Sequence, residues 1–229
     1  MSIKENVERL LKNIDKIKIE NNLTQSITIC AATKYVGPNE MKELLKAGIT
    51  NFGENRVQDF LMKYEELQGE PITWHFIGTL QTNKVKKMIN KISYLHSLDR
   101  ESLAEEINKH RETPLNCFVQ VNCSGESSKH GLNVRDVQSF IYKLEKYDKI
   151  KIIGLMTMAE HTSDVEVLKQ TFRTLRELRD TIKALKLPYA PCTELSMGMS
   201  NDYHIAILEG ATVLRIGSLL YSNGGNNDD

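Results

Sequence analysis

A lysine follows an apolar segment in the stretch ITICAATKYVGPNE, residues 27–40. The residues before Lys34 have the pattern of a buried strand, and the turn residues Gly37 and Pro38 come after it. An ammonium group in this place either reaches solvent along its aliphatic stem or takes part in chemistry. Partial burial would lower the pKa of the amine and leave it neutral to attack a carbonyl, as a Schiff-base lysine does. The stretch alone leaves both interpretations open.

Two short segments nearer the carboxyl end, SMGMSND and RIGS, contain groups that bind anions. Gly217 permits close approach of the backbone, and the hydroxyls of Ser200 and Ser218 can donate hydrogen bonds. A helix predicted to start at Ser200 would also favour an anion at its N-terminus. Two ordinary serine-capped turns are the alternative. A phosphate cup facing a lysine would suit either a phosphosugar, as in a lysine aldolase, or pyridoxal 5′-phosphate.

Arg215 stands in the predicted strand just before the second segment. A guanidinium at the inner end of a strand is costly unless it meets a carboxylate or a ligand. Glu194 or Asp202 could supply the carboxylate. Against a pyridine ring, Arg215 could instead donate to the ring nitrogen, where a fixed cation disfavours protonation and weakens the electron sink used in carbanion chemistry.

Two further polar residues have a structural and a functional interpretation. His75 in WHFIG either stacks on a ligand ring or satisfies a hydrogen bond in the core. Asn55 in FGENRV either binds a ligand or caps a helix that begins near Arg56. The six histidines show no HxH or HExxH spacing, so no metal site is predicted.

Composition excludes some classes of partner. Thirty basic and thirty acidic side chains cancel, which argues against a broad surface for nucleic acid or an anionic membrane. The four cysteines form no CxxC pair, which favours a reducing, cytoplasmic environment. The charged N-terminus has no secretory signal, and no apolar run approaches a membrane span. We therefore expect a small molecule or a protein as the partner.

Strand and helix patterns alternate along the chain and must position these residues. Eight such units in 229 residues favour a (β/α)8 barrel over a doubly wound open sheet. An amphipathic helix precedes the first strand, and a long helix over 165–182 is predicted to begin with the capping box Ser163-x-x-Glu166. One domain is expected over residues 1–222, with a flexible tail at 223–229. The predicted strands are ITICAAT, ITNFG, ITWHFIG, ISYLHSL, LNCFVQVN, IKIIGLMTM, CTELSMG and ATVLRIG.

The barrel hypothesis brings the polar residues to one rim. Functional groups of such barrels come from the carboxyl ends of the strands, and phosphate commonly binds after the seventh and eighth strands. Lys34 follows the predicted first strand, while Ser200 and Ser218 follow the seventh and eighth. This placement favours a phosphate cup near the lysine.

Seven segments also match those of a known family: ATKYV, FGENRVQ, WHFIGTLQTNK, VNCSGESSKHGL, GLMTM, LSMGMSNDY and VLRIGSLLY. Together they resemble the pyridoxal phosphate homeostasis protein family, a single-domain group similar to the N-terminal barrel of alanine racemase. The resemblance extends from the first helix to about Tyr221. ATKYV stands where many members have VSKT, and Ser218 stands where threonine is common.

The resemblance implies pyridoxal 5′-phosphate as the cofactor, held as a Schiff base on Lys34. It implies that Arg215 lies by the pyridine nitrogen and that Lys129 has a secondary role in handling the cofactor. The remaining residues implied to hold the cofactor are Ser200, Gly217 and Ser218 at the phosphate, and Asn55, His75 and Met199 along the lining.

The function implied is that of a monomer that carries or buffers the cofactor, without catalytic residues and with PLP-dependent apo-enzymes as protein partners. The related racemase uses a second base, a tyrosine from a β-rich domain, which this sequence is not expected to contain. A PLP-dependent racemase of low activity is the alternative.

Overall fold

Eight parallel strands form a closed ring in the computed structural model, which describes residues 1–124 and 130–221. Each strand of the ring pairs in parallel with its two neighbours, and the pairing of β4 with β5 closes the ring. The predicted (β/α)8 barrel is confirmed. A two-residue strand, β6 (Leu132–Asn133), pairs with the carboxyl end of β5. The barrel strands are β1 (Thr28–Ala32), β2 (Asn51–Glu54), β3 (Thr73–Phe76), β4 (Tyr94–Leu98), β5 (Leu115–Asn122), β7 (Ile150–Met156), β8 (Glu194–Ser196) and β9 (Val213–Ile216).

Helices surround the ring and pack on its outer face. The predicted N-terminal helix is present as α1, which buries Val7, Leu10 and Ile14 and begins with a capping box between Ser2 and Glu5. In residues 1–124 and 130–221, no helix is both long and apolar enough to cross a bilayer. The helices are α1 (Ile3–Glu20), α2 (Pro38–Lys46), α3 (Val57–Glu66), α4 (Val85–Met88), α5 (Glu101–His110), α6 (Val137–Lys143), α7 (Val165–Ala184), α8 (Tyr203–Leu208) and α9 (Ser218–Tyr221).

The start of α7 differs from the prediction by one residue. Asp164, not Ser163, is the N-cap, and its carboxylate accepts from the backbone N–H groups of Glu166 and Val167 at 2.9 and 3.3 Å. The predicted capping box is therefore wrong. Aspartate is as good an N-cap as serine, and its charge also interacts favourably with the helix dipole.

The apolar core has two parts. A large cluster fills the layer between the strands and the helices. A small cluster of Cys30, Phe118, Met156 and Val213 lies apart from it, with residues from four barrel strands. Polar side chains, including His75, His96 and Arg215, are also buried on the barrel strands. The polar groups that the fold buries on these strands must therefore find partners among themselves.

Gly154 in β7 lies against the backbone of β8. A Cβ atom there would stand 2.1 Å from the carbonyl oxygen of Glu194, so the two strands would have to separate. We expect Gly154→Ala to lower the free energy of unfolding in urea by about 1–3 kcal/mol, the usual cost of overpacking. Gly217→Ala is the matched control, because its Cβ would meet Ala32 at an ordinary 3.6 Å. Equal stability of the two variants would contradict the prediction.

Candidate functional site

Three neighbouring strands bring the predicted lysine and the predicted phosphate cup to the same rim. β1 pairs with β9, and β9 pairs with β8, so the loops that follow them are adjacent. Lys34 lies in the turn after β1, and Ser200 lies in the turn after β8. A Cβ atom on Gly217, after β9, would be 3.7 Å from the side chain of Ala32 at the end of β1.

Lys34 is exposed at this rim. Its Nζ lies 4.6 Å from the ring centroid of Tyr35, whose side chain is 85% exposed. Of the two interpretations that the sequence leaves open, the structure therefore does not show the partial burial of the amine. The lysine stands two residues beyond Ala32, the last residue of β1, in an exposed turn.

Ser200 is the centre of the predicted cup. Its hydroxyl oxygen accepts from the backbone N–H groups of Gly217 and Leu219 at 3.3 and 3.4 Å. Two donors therefore converge on one oxygen atom. Ser218 is the first residue of α9, and the side chain of Met199 is 38% exposed beside the cup.

The segment before α8 is a turn and not the start of the helix. Asp202 is the N-cap of α8, and its carboxylate accepts from the N–H of Met199 at 2.5 Å. The prediction that the helix starts at Ser200 is wrong by three residues. Gly198 enters this turn with φ +94°, and a Cβ there would stand 2.6 Å from that of Ala206. This backbone conformation favours glycine.

Arg215 is buried, with 4% of its surface exposed. Its Nη1 donates to the hydroxyl of Ser196 at 2.7 Å, and its Nη2 donates to the carbonyl of Thr157 at 2.9 Å. Among the described residues no carboxylate forms an ion pair with it, so the proposed pairing with Glu194 or Asp202 is not found. Burial lowers the pKa of Arg215 to about 10, and it stays protonated at neutral pH.

Asn55 contributes an unpaired acceptor. Its Oδ1 atom is buried and has no hydrogen-bond partner within the described chain. Helix α3 begins at Val57 after the N-cap Arg56, which makes no side-chain cap. The helix-capping interpretation of Asn55 is therefore wrong. A buried carbonyl oxygen without a partner costs free energy and fits a ligand that donates a hydrogen bond.

His75 lies within the barrel and has two hydrogen-bonded nitrogens. Nε2 is 2.9 Å from Oδ1 of Asn51, and Nδ1 is 2.9 Å from Nε2 of His96. Its ring stacks on Tyr94 at 4.4 Å. The contacts of His75 therefore agree with the interpretation that it satisfies hydrogen bonds in the core. The structure does not place His75 at the cup.

A chain of hydrogen bonds joins His75 to Arg215. Nδ1 of His96 lies 2.8 Å from the hydroxyl of Ser196, which accepts from the guanidinium. Because arginine can only donate, the serine proton is free to point to His96. His96 is then protonated on Nε2 and donates to His75, which donates to the amide oxygen of Asn51. In this arrangement every imidazole nitrogen of His75 and His96 and the hydroxyl of Ser196 has a hydrogen-bond partner.

The sequence places His96 and Ser196 among the polar residues at the strand ends but assigns neither of them a specific role. Each stands between apolar residues of a predicted strand, in YLHSL and ELSM. A polar residue flanked in this way was the available signal. The two residues lie 100 positions apart, so their contact could not be read from spacing.

A buried ion pair supports the backbone beside Lys34. Nζ of Lys63 lies 2.7 Å from Oε1 of Glu54 and donates to the carbonyl of Thr33 at 2.7 Å. The Thr33 hydroxyl donates to the same carboxylate oxygen. Thr33 directly precedes Lys34, so the pair fixes where the turn leaves β1.

Stability should fall in acid because the two core histidines are neutral. Burial lowers the pKa of His75 to about 3, and burial also lowers the pKa of His96 well below its usual value. Below about pH 6.5 these histidines bind protons in the unfolded chain but stay neutral in the folded chain. The free energy of unfolding is therefore highest above this pH and decreases as the pH falls toward 3. Between about pH 7 and pH 5, His75 alone should lower the free energy of unfolding by about 2 kcal/mol.

Urea titrations at the two pH values measure this loss. His75→Gln should reduce the difference between them, whereas His161→Gln, at an exposed histidine, should leave it unchanged. An identical pH difference in the parent protein and His75→Gln would contradict the assignment.

Lys129, for which the resemblance implies a secondary role, lies outside the described residues, as does the predicted tail.

Comparisons with known proteins agree with the architecture and the motifs. The family model for the alanine racemase N-terminal domain matches residues 6–223. A pyridoxal phosphate homeostasis protein of Aquifex aeolicus is 40% identical over 229 residues, covering 96% of this chain and 98% of the relative. A protein of the same name from Helicobacter pylori is 34% identical, covering 96% and 99%.

Solved structures give the same picture. PipY of Synechococcus elongatus, solved with PLP bound, is 29% identical with a TM-score of 0.84 and covers 96% of this chain and 100% of its own. Alanine racemase of Clostridium difficile is 18% identical with a TM-score of 0.73, and the match covers 98% of this chain and 58% of the racemase. The second likeness concerns the fold alone.

Proposed function

The chain belongs to the pyridoxal phosphate homeostasis protein family, within the wider family of alanine racemase N-terminal domains, and from this premise we propose that it binds pyridoxal 5′-phosphate and carries or buffers it. The observation that supports this most directly is Arg215, a buried guanidinium with no carboxylate partner among the residues described, two positions before Gly217 of the cup. A buried cation of this kind is costly unless a ligand completes its surroundings.

The residues present fit the cofactor. When bound, pyridoxal phosphate supplies an aldehyde that condenses with amines and a pyridine ring that withdraws electrons. We assign its phosphate to Ser200, Gly217 and Ser218, whose backbone and hydroxyl groups suit an anion. Lys34 supplies the primary amine at the same rim. The unpaired oxygen of Asn55 offers an acceptor, and Met199 offers an apolar surface beside the cup.

A carrier is favoured over a catalyst by the charge of Arg215. Its guanidinium stays protonated at neutral pH, so a ring nitrogen beside it would accept a hydrogen bond and remain unprotonated. Such a ring stabilises a carbanion poorly, which argues against efficient racemisation. A monomer in the cytoplasm that hands its cofactor to PLP-dependent apo-enzymes is the cellular role we propose.

Borohydride reduction tests the assignment of the amine. The purified protein, titrated with pyridoxal phosphate, reduced and digested, should carry a phosphopyridoxyl group on the peptide containing Lys34. We expect one labelled site at equimolar cofactor. Labelling spread evenly over the exposed lysines would refute a specific site.

Proton exchange separates the carrier from a racemase. The loaded protein, incubated with alanine in deuterated water, should exchange the Cα proton far more slowly than the roughly 1 per second of ordinary enzymes. Inversion at or above that rate would establish the racemase instead.

A further inference from the structure

A cavity of about 350 Å³ opens at the amino ends of the barrel strands. Every strand of the ring contributes to its lining, so it lies on the barrel axis, at the end opposite to Lys34 and the cup. The amino-end face of such barrels ordinarily serves stability. A volume of this size is within the range of small-molecule sites. The lining residues used below are Asn51, His75, Phe118, Lys151, Ile153, Glu194 and Val213.

One side of the cavity has opposite charges that are not paired with each other. Lys151 of β7 and Glu194 of β8 lie on neighbouring strands, and neither forms an ion pair within residues 1–124 and 130–221. Glu194 uses Oε1 to accept from the hydroxyl of Thr193 at 3.0 Å, and no partner is found for its other oxygen in the described chain. A cation and an anion are thus separately available on one wall.

The facing wall is polar and rigid. β2 and β3 lie across the closed ring from β7 and β8, and they supply Asn51 and His75. The oxygen of Asn51 accepts from His75, which leaves its NH₂ group with a single long contact of 3.5 Å to Thr50. That wall can therefore donate a hydrogen bond to a ligand. Its position is held by the hydrogen-bond chain that ends at Arg215.

Apolar side chains complete the lining. Phe118 and Val213 are buried, and Ile153 packs against their cluster. A ligand that satisfies the whole cavity therefore needs a negative group for Lys151, a positive group for Glu194 and a short apolar substituent.

We propose that this cavity is a second binding site, separate from the cofactor rim, for a small zwitterion such as an α-amino acid with a short side chain. Its carboxylate pairs with Lys151 and its ammonium group with Glu194. Because the proposal concerns the opposite end of the barrel, it does not depend on cofactor binding.

Nuclear magnetic resonance of the imidazole nitrogens tests the site directly. L-alanine added to the cofactor-free full-length chain should shift the His75 ring signals saturably, with a dissociation constant on the order of 1 mM. Propionate and ethylamine each keep one of the two charges, so each should bind at least about tenfold more weakly. The same result is expected in the Lys34→Ala protein, which separates this site from the amine at the rim.

Variants identify the two charges. Lys151→Met and Glu194→Gln should each weaken L-alanine binding by at least about tenfold, whereas Lys143→Met and Glu145→Gln, exposed residues outside the lining, should have no effect. Lys151 is exposed, so its replacement leaves the fold intact. The proposal is overturned if L-alanine produces no saturable shift of His75, if propionate or ethylamine binds as well as L-alanine, or if Lys151→Met leaves the affinity unchanged.

Discussion

Lys34→Ala is expected to abolish covalent capture of pyridoxal phosphate and to weaken its binding by at least about 100-fold, or about 2.8 kcal/mol. The amine of Lys34 is the group we assign to the cofactor aldehyde, and the cup at Ser200 would hold the phosphate without it. Lys34 is exposed, so its removal leaves the packing of the barrel unchanged. Absorbance titration gives the affinity, and mass spectrometry after borohydride reduction gives the covalent fraction.

Lys42→Ala is the matched control, because Lys42 is an exposed lysine on the nearby helix α2. It should bind and trap the cofactor as the parent protein does. If Lys34→Ala were labelled to the same extent as the parent, the amine would have to come from another residue.

Lys63→Met is expected to lower the free energy of unfolding by about 3–5 kcal/mol, as removal of one partner from a buried ion pair does. The side chain of Lys63 is 4% exposed and that of Glu54 is fully buried. Without the ammonium group, the carboxylate would keep the Thr33 hydroxyl as its donor, and its Oε2 atom already has no partner in the described chain. Urea denaturation measures the loss.

A second substitution tests whether this loss comes from the unpaired charge of Glu54. Lys63→Met combined with Glu54→Gln removes the uncompensated charge and should recover part of the stability. Lys4→Met, which breaks an exposed pair with Glu8, should change stability by less than about 1 kcal/mol. A loss in Lys63→Met no larger than that in Lys4→Met would show that the buried pair contributes little.

The architecture was predictable because it depends on local patterns. Each of the eight apolar segments identified from the sequence overlaps one strand of the barrel, and the amphipathic stripe of Val7, Leu10 and Ile14 forms part of α1. Burial of apolar side chains is the main favourable term in folding. The spacing of these side chains along the sequence shows which segments become strands and which become helices. The order of the strands then placed the loops of Lys34 and Ser200 on either side of the loop that follows β9.

Residue-level surroundings were less predictable. The sequence leaves open whether Lys34 is partly buried and whether Arg215 meets a carboxylate, and neither is found in the described part of the chain. The helix start predicted at Ser200 is wrong. A turn can expose a residue that follows a buried strand, and three residues of turn can precede a helix at little cost in free energy. These details depend on contacts with residues that are distant in the sequence, which local patterns do not reveal.

The sequence by itself therefore determined the barrel, the family and the residue types at the rim. Only the tertiary structure decided that Arg215 reaches Ser196 and Thr157, 19 and 58 positions away, and that Ser196 meets His96 across 100 positions. It also decided that eight strand beginnings enclose the amino-end cavity with Lys151 and Glu194 on one wall. The physical reason is that hydrogen bonds and charges act over a few ångströms in space, whatever the distance along the chain.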